Sequence, residues 1–322
     1  MKHCRIRIRS DWRVLTLSFL CLVIIFYQNE TFAQKQVGVK NTLEYFKKST
    51  RIADTICYKE AGGRKLFLLV MKPENKLRIK NRPVLVWIHG GGWTGGNAGQ
   101  FIPQLRYSAD RGAVGISVEY RLIKKNNAPD DGNTTILTDC IADCRDALRY
   151  IREHKNELGI DPKRVTVIGD SAGGHLALCM GILDAPLVEK ADAVIDCNGI
   201  TDFNNKTWQV YLPHKKGLDE EIQAFSPLFH LDRNDPPLLI LNGGKDKVVT
   251  PEEANKLYLE SKKAGIDSEY MLFDDMQHAF ILTNYHATEE QTTRAMLEID
   301  NFLVKRKLLK GETVLMQQDK LR

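Results

Sequence analysis

Residues 164–178 read RVTVIGDSAGGHLAL, and this stretch decides the fold. Val165–Gly169 is a short apolar run of the kind found in a strand buried on both faces. Ala172–Leu183 continues with helical spacing. Between them stands Ser171, with Gly169 two positions before it and Gly173 and Gly174 after it. A bare G-x-S-x-G can arise by chance as an ordinary glycine turn. Placed between a strand and a helix, it is the pattern of a nucleophile elbow. Small neighbours let the chain turn sharply, lift the serine above the sheet and set it on a helix N-terminus that favours negative charge.

On either side of this stretch, strands and helices alternate. Apolar runs mark strands at Leu66–Met71, Val84–His89, Ala113–Glu119, Val165–Gly169, Ala193–Asp196 and Pro237–Leu241. Leu137, Cys140, Ile141, Cys144, Leu148 and Ile151 share one face of a helix, while Asp139, Asp143, Asp146, Arg149 and Glu153 fall elsewhere on it. Further helices are predicted over Ala172–Leu183, Pro251–Ala264 and Glu289–Lys305. Such alternation implies an α/β fold: a mostly parallel central sheet with helices on both faces, forming one domain over residues 34–322. Sheets of this kind place their sites at the carboxyl ends of the strands.

A second motif follows one of those strands. His89-Gly90-Gly91-Gly92-Trp93 comes directly after Val84–Ile88. Taken alone it could be a glycine-rich loop without function. Its glycines also leave backbone amides free to hold a developing oxyanion. The candidate donors are the amides of Gly91 and Gly92, joined by Ala172 from the elbow. Together, the two motifs resemble the hormone-sensitive-lipase-like and secreted carbohydrate-esterase branches of the α/β-hydrolase superfamily. The resemblance covers about residues 55–305 and leaves the tail from Val304 largely outside.

The resemblance implies a triad in the chain order Ser, Asp, His. Asp246 is the expected acid, because it closely follows an apolar run and precedes a helix; Asp275 is the next candidate. His278 lies 32 residues further on and is the expected base. His286 also follows the acid but reads as a surface residue, His175 as a structural histidine, and His89 as an orienting group. Trp93 and Asp170 are the candidate substrate-binding residues, although Trp93 could equally pack beneath its loop. Residues 202–225 stand where the superfamily often carries a small cap, and read equally well as a surface excursion. The chemistry implied is acyl transfer to Ser171 and hydrolysis of the acyl-enzyme, with no metal or organic cofactor.

The N-terminus stands apart from this domain. Lys2, Arg5, Arg7, Arg9 and Arg13 precede an apolar run over Val14–Tyr27, and a small residue, Ala33, follows a polar stretch. This reads as a secretory signal peptide over residues 1–33, with an uncleaved signal anchor as the alternative. Export to the periplasm or the outside is expected, without stable membrane insertion after cleavage. Removing five basic and two acidic residues takes the net charge from +5 to about +2, so composition offers no support for nucleic-acid binding. Cys57, Cys140, Cys144, Cys179 and Cys197 remain, an odd and scattered set that is not a disulfide framework.

The expected partner is therefore a small-molecule or carbohydrate ester. A short acyl group is expected, with acetyl or feruloyl groups of polysaccharides as the substrate the resemblance suggests. The rivals are a general short-chain carboxylesterase, an amidase or peptidase on the same fold, and an inactive binding protein on a hydrolase scaffold.

Overall fold

The predicted strands assemble into one eight-stranded sheet in the order β1-β2-β4-β3-β5-β6-β7-β8. A computed structural model describes residues 45–46, 51, 53–74, 81–124, 135–185, 188–283, 285 and 287–317. The stretch read as a signal peptide lies outside the described residues, as does His286. The strands are β1 (Asp54–Ala61), β2 (Arg64–Met71), β3 (Arg82–Ile88), β4 (Val114–Val118), β5 (Ile160–Asp170), β6 (Ala193–Cys197), β7 (Leu238–Gly243) and β8 (Ser268–Phe273). β1 and β2 pair antiparallel, as do β2 and β4; every other pairing is parallel. The central strands β4 and β6 are buried along their whole length, which explains their unbroken apolar character.

The principal helices are α1 (Ile102–Asp110), α2 (Leu137–Glu153), α3 (Ala172–Gly181), α4 (Lys206–Gln209), α5 (Leu218–Phe225), α6 (Pro251–Ala264) and α7 (Glu289–Lys305). Two apolar cores lie on the two faces of the sheet. Val86, Val167 and Ile240 point to one and meet α2 and α3; Trp87, Ile168 and Leu241 point to the other and meet α1 and α7. This is the period of two expected of strands covered on both sides.

Two features add to the sequence reading. Asp143 does not belong to the solvated side of α2: it is fully buried, and its carboxylate takes Lys59 Nζ at 2.6 Å and Arg121 Nε at 2.8 Å. Burial pushes its carboxyl up, but these hydrogen bonds prevail and hold it below the usual range. The C-terminal tail, which the resemblance leaves largely outside, packs on the second core. Leu309 and Leu315 are buried in the second core, and Arg111 donates to the carbonyls of Lys310, Gly311 and Glu312 while pairing with Asp300 at 2.6 Å.

The loops that carry the candidate site leave the carboxyl ends of β3, β5, β6, β7 and β8. β3 lies between β4 and β5, with Ile88 opposite Gly169. The chain therefore steps from β3 to β4 on one side and reaches β5 on the other. That reversal of strand order is where open α/β sheets carry their ligand crevice. Among the described residues, no helix is long and apolar enough to cross a membrane.

Candidate active site

The site is built at the ends of β3, β5, β6, β7 and β8. β5 ends at Asp170 and α3 begins at Ala172, so Ser171 must turn the chain between them. It does so with φ 56° and ψ −121°, a left-handed conformation that costs a non-glycine residue of order 1–3 kcal/mol. Its amide donates to Cys197 O at 2.9 Å, which holds the turn against β6. The neighbouring glycines answer a different need from the sharp turn expected of them. None of the three has positive φ; they allow close approach. A Cβ on Gly169 would overlap the carbonyl of Gly173, and one on Gly173 would overlap that of Ile88. Ser171 alone carries the strain.

The three residues expected as a triad are brought together. His278 Nε2 stands 2.8 Å from Ser171 Oγ, and its Nδ1 stands 2.7 Å from Asp246 Oδ2. An ionised carboxylate only accepts, so Nδ1–H donates to Asp246 and Nε2 is left to accept from the serine hydroxyl. The other oxygen of Asp246 accepts from the amides of Val248 at 2.8 Å and Val249 at 3.0 Å. The carboxylate is thus fully engaged and cannot swing away. Burial lowers the His278 pKa, but the hydrogen bond to Asp246 and the charges of Asp170 and Asp246 outweigh it, and the net direction is upward. Asp275, the alternative acid, is instead paired with Arg294 at the surface, 2.8 Å away.

The glycine loop lies beside the serine. Gly91 (φ 109°) and Gly92 (φ 59°) have the backbone that favours glycine, and Trp93 (φ 56°) continues it. Gly91 O accepts from the amides of Thr94 and Gly95, which closes the loop on itself. The amides of Gly91 and Gly92 make no backbone hydrogen bond among the described residues. Ala172 is the first residue of α3, where the amide has no partner within the helix. Gly90, Gly91 and Gly92 border the same cavity as Ser171 and His278. It measures about 550 Å³, and Ile200, Trp208, Val248, Leu282 and Tyr285 also line it.

Of the two residues expected to bind substrate, Asp170 borders the cavity and Trp93 does not. Trp93 is fully buried, with its ring against His175, Phe203, Trp208 and Tyr211, so it supports the loop and does not line the cavity. Trp208, from the segment expected as a cap, lines the cavity instead, with Tyr285. Asp170 borders the cavity, but its carboxylate is buried: Oδ1 accepts from Asn198 Nδ2 at 3.1 Å, and a Cβ on Gly90 would meet Oδ2. Burial raises its pKa to about 6, against the lowering effects of His278 and Asn198. His175 is structural, as expected: Nε2 donates to Phe225 O at 2.9 Å, and burial lowers its pKa to about 4.

One member of the site was not foreseen. Asn198 follows β6 with φ 45°, and both halves of its amide are used across elements. Nδ2 holds Asp170 in the elbow, while Oδ1 accepts from the amide of Ala279, next to His278, at 3.2 Å. It joins the nucleophile turn to the histidine loop. Its only sequence signal is a polar residue just past a buried strand.

Comparison with known proteins places these features in a family. A profile of the BD-FAE family matches residues 70–260, more than half of the chain. The chain is 29% identical over 254 residues to the probable carboxylic ester hydrolase LipM of Mycobacterium tuberculosis, covering 70% of this chain and 56% of LipM. It is 26% identical to the esterase LipQ of the same organism, covering 69% and 56%. The chain spans between about half and two thirds of the length of such curated relatives. Among solved structures it is similar to a thermophilic esterase, Est2, of the planctomycete Thermogutta terrifontis. The native form superposes with a TM-score of 0.69 at 31% identity, covering 81% of this chain and 95% of that one. The butyrate-bound form gives 0.71 at 30% identity, covering 83% and 99%. A form phosphorylated by paraoxon gives 0.70 at 29% identity, covering 83% and 98%.

Proposed function

This chain belongs to the BD-FAE family, and we propose that it hydrolyses carboxylic esters through Ser171, His278 and Asp246. The observation that carries the reading is the imidazole held between a serine hydroxyl at 2.8 Å and a fully engaged carboxylate at 2.7 Å. His278 Nε2 takes the Ser171 proton as Oγ bonds to the acyl carbon. The carbonyl oxygen becomes an anion, and the amides of Gly91, Gly92 and Ala172 are the donors assigned to it. His278 then gives its proton to the departing alcohol, leaving an acyl-enzyme, and a water molecule repeats the sequence to release the acid. Asp246 holds the tautomer this requires and stabilises the imidazolium.

We read the acyl group as short. The similar Thermogutta esterase is known with propionate and with butyrate bound. The exposed surface of residues 202–225 is largely polar, with Asn204, Asn205, Lys215 and Lys216 beside the exposed Val210 and Leu218. The segment's apolar contribution to the cavity wall is Trp208. A long acyl chain needs an apolar trench, since each buried CH₂ gains about 0.8 kcal/mol. The same polar segment suits a hydroxyl-rich alcohol half, as in acetyl or feruloyl esters of polysaccharides. The basic, then apolar, N-terminal stretch supports export of the enzyme.

The test compares kcat/KM on p-nitrophenyl acetate, butyrate and octanoate, with acetylated xylan alongside. Acetate and butyrate should be cleaved well and octanoate poorly, and Ser171→Ala should abolish all three. A preference for octanoate, with no acetate released from xylan, would remove the short-acyl and carbohydrate readings. Activity surviving in Ser171→Ala would remove the mechanism.

A further inference from the structure

The His89–Trp93 loop holds three successive residues at positive φ; Gly91 O accepts from Thr94 and Gly95, and His89 Nδ1 meets Gly90 O at 2.9 Å, contacts that do not involve the Gly91 and Gly92 amides. Something else must fix where its amides point. Directly after β4, Tyr120–Ile123 touches the first and the last residue of that loop. Tyr120 Oη donates to His89 O at 2.8 Å, and the two rings stack with centroids 4.3 Å apart. The Ile123 amide donates to Trp93 O at 2.8 Å. The strap is itself anchored between these two contacts. Arg121 presents its backbone amide (3.0 Å), Nε (2.8 Å) and Nη2 (2.9 Å) to the buried carboxylate of Asp143 on α2. Its carbonyl accepts from Cys140 Sγ at 3.1 Å.

We propose that Tyr120–Ile123 is a brace for the oxyanion loop, with Arg121 and Tyr120 acting as positioning residues for catalysis. Neither lines the cavity or reaches a substrate. Arg121 suits the role because its planar fork engages both carboxylate oxygens and so fixes direction as well as distance. Through Tyr120 and Ile123, that fixed point is passed to both ends of the loop. An oxyanion hole works because its donors are already aimed before charge develops, so a strap that sets their aim acts on the transition state more than on substrate binding.

The inference rests on the ester-hydrolase reading, and its test separates the two. Full-length wild type, Arg121→Met, Arg121→Lys and Tyr120→Phe are assayed on p-nitrophenyl acetate. Active sites are counted with paraoxon. A trifluoromethyl ketone, whose adduct with Ser171 carries an oxyanion, serves as the second probe, and Tm is recorded. In Arg121→Met, Asp143 keeps Lys59 and the backbone amide, so the fold retains its partners. The expected result is a loss in kcat per counted site of about ten- to a hundredfold, with KM within about twofold and ketone affinity falling in step. Arg121→Lys should recover part of that loss, and Tyr120→Phe should show a smaller loss of the same kind.

If kcat per counted site and ketone affinity stay at wild-type values while only Tm or the count of sites falls, the brace is merely structural and the proposal fails. It fails equally if KM alone rises. Wild-type protein that neither hydrolyses the ester nor binds the ketone overturns the hydrolase reading and the brace together.

Discussion

At His278 two opposing influences meet, and their balance sets how activity depends on pH. Burial disfavours the imidazolium; the Asp246 hydrogen bond and the carboxylates of Asp170 and Asp246 favour it more strongly. Catalysis needs Nε2 free of its proton. Activity should therefore rise with pH through the His278 pKa, with the midpoint of kcat/KM above the ordinary value of 6.5. Asp170→Asn keeps an oxygen for Asn198 but removes a negative charge that favours the imidazolium. The midpoint should then fall to lower pH. A midpoint unmoved or raised would show that the Asp170 charge is not felt at His278. The roles expected of Ser171 and Asp246 could be read because each stands just past an apolar run, and that of His278 because it follows Asp246 in the order Ser, Asp, His. The role of Asp170 could not. Nothing in the heptapeptide around it tells whether a buried carboxylate turns outward to a ligand or inward to an asparagine far along the chain.

The elbow element was legible as a pattern, but its physics emerged only from packing. Gly173 is needed because α3 runs against the end of β3, where a Cβ would overlap the carbonyl of Ile88. Gly173→Ala should force those elements apart. Overpacking of this kind costs typically about 1–3 kcal/mol, and more where the obstacle is backbone. A lowered urea midpoint together with lost activity is expected; an unchanged midpoint would mean that the elbow gives way freely. β1 and β8 escaped the strand reading for an equally physical reason. They are the edge strands: DTICYKEA lacks the continuous apolar run that marks the centre of the sheet, and in SEYMLF the short run Tyr270–Phe273 is partly exposed. Asn198 is harder still to find, since its importance comes from joining three loops that are distant in the chain.

Across the whole domain, the last residues close the second core. Arg111, at the end of α1, reaches Asp300 on α7 and three carbonyls of the tail, and both charges of the pair are buried. Breaking one side of such a pair typically costs about 3–5 kcal/mol. Arg111→Met should therefore lower the urea midpoint clearly while leaving kcat on p-nitrophenyl acetate unchanged, because the pair is remote from the cavity. Equal stability would mean that the tail merely lies against the domain. That docking was hard to read in the sequence: Leu308-Leu309 and Val314-Leu315-Met316 are short apolar pieces between polar residues, and only the sheet face beneath them makes Leu309 and Leu315 core. The function proposed for this packing is to activate one serine. Treating the full chain with paraoxon and locating the adduct by peptide mass spectrometry tests whether it does. One diethylphosphoryl group per chain is expected, on Ser171, with loss of ester hydrolysis in proportion to labelling and no adduct in Ser171→Ala. Stoichiometric labelling at another residue, or full labelling of Ser171 with hydrolysis intact, would contradict that activation.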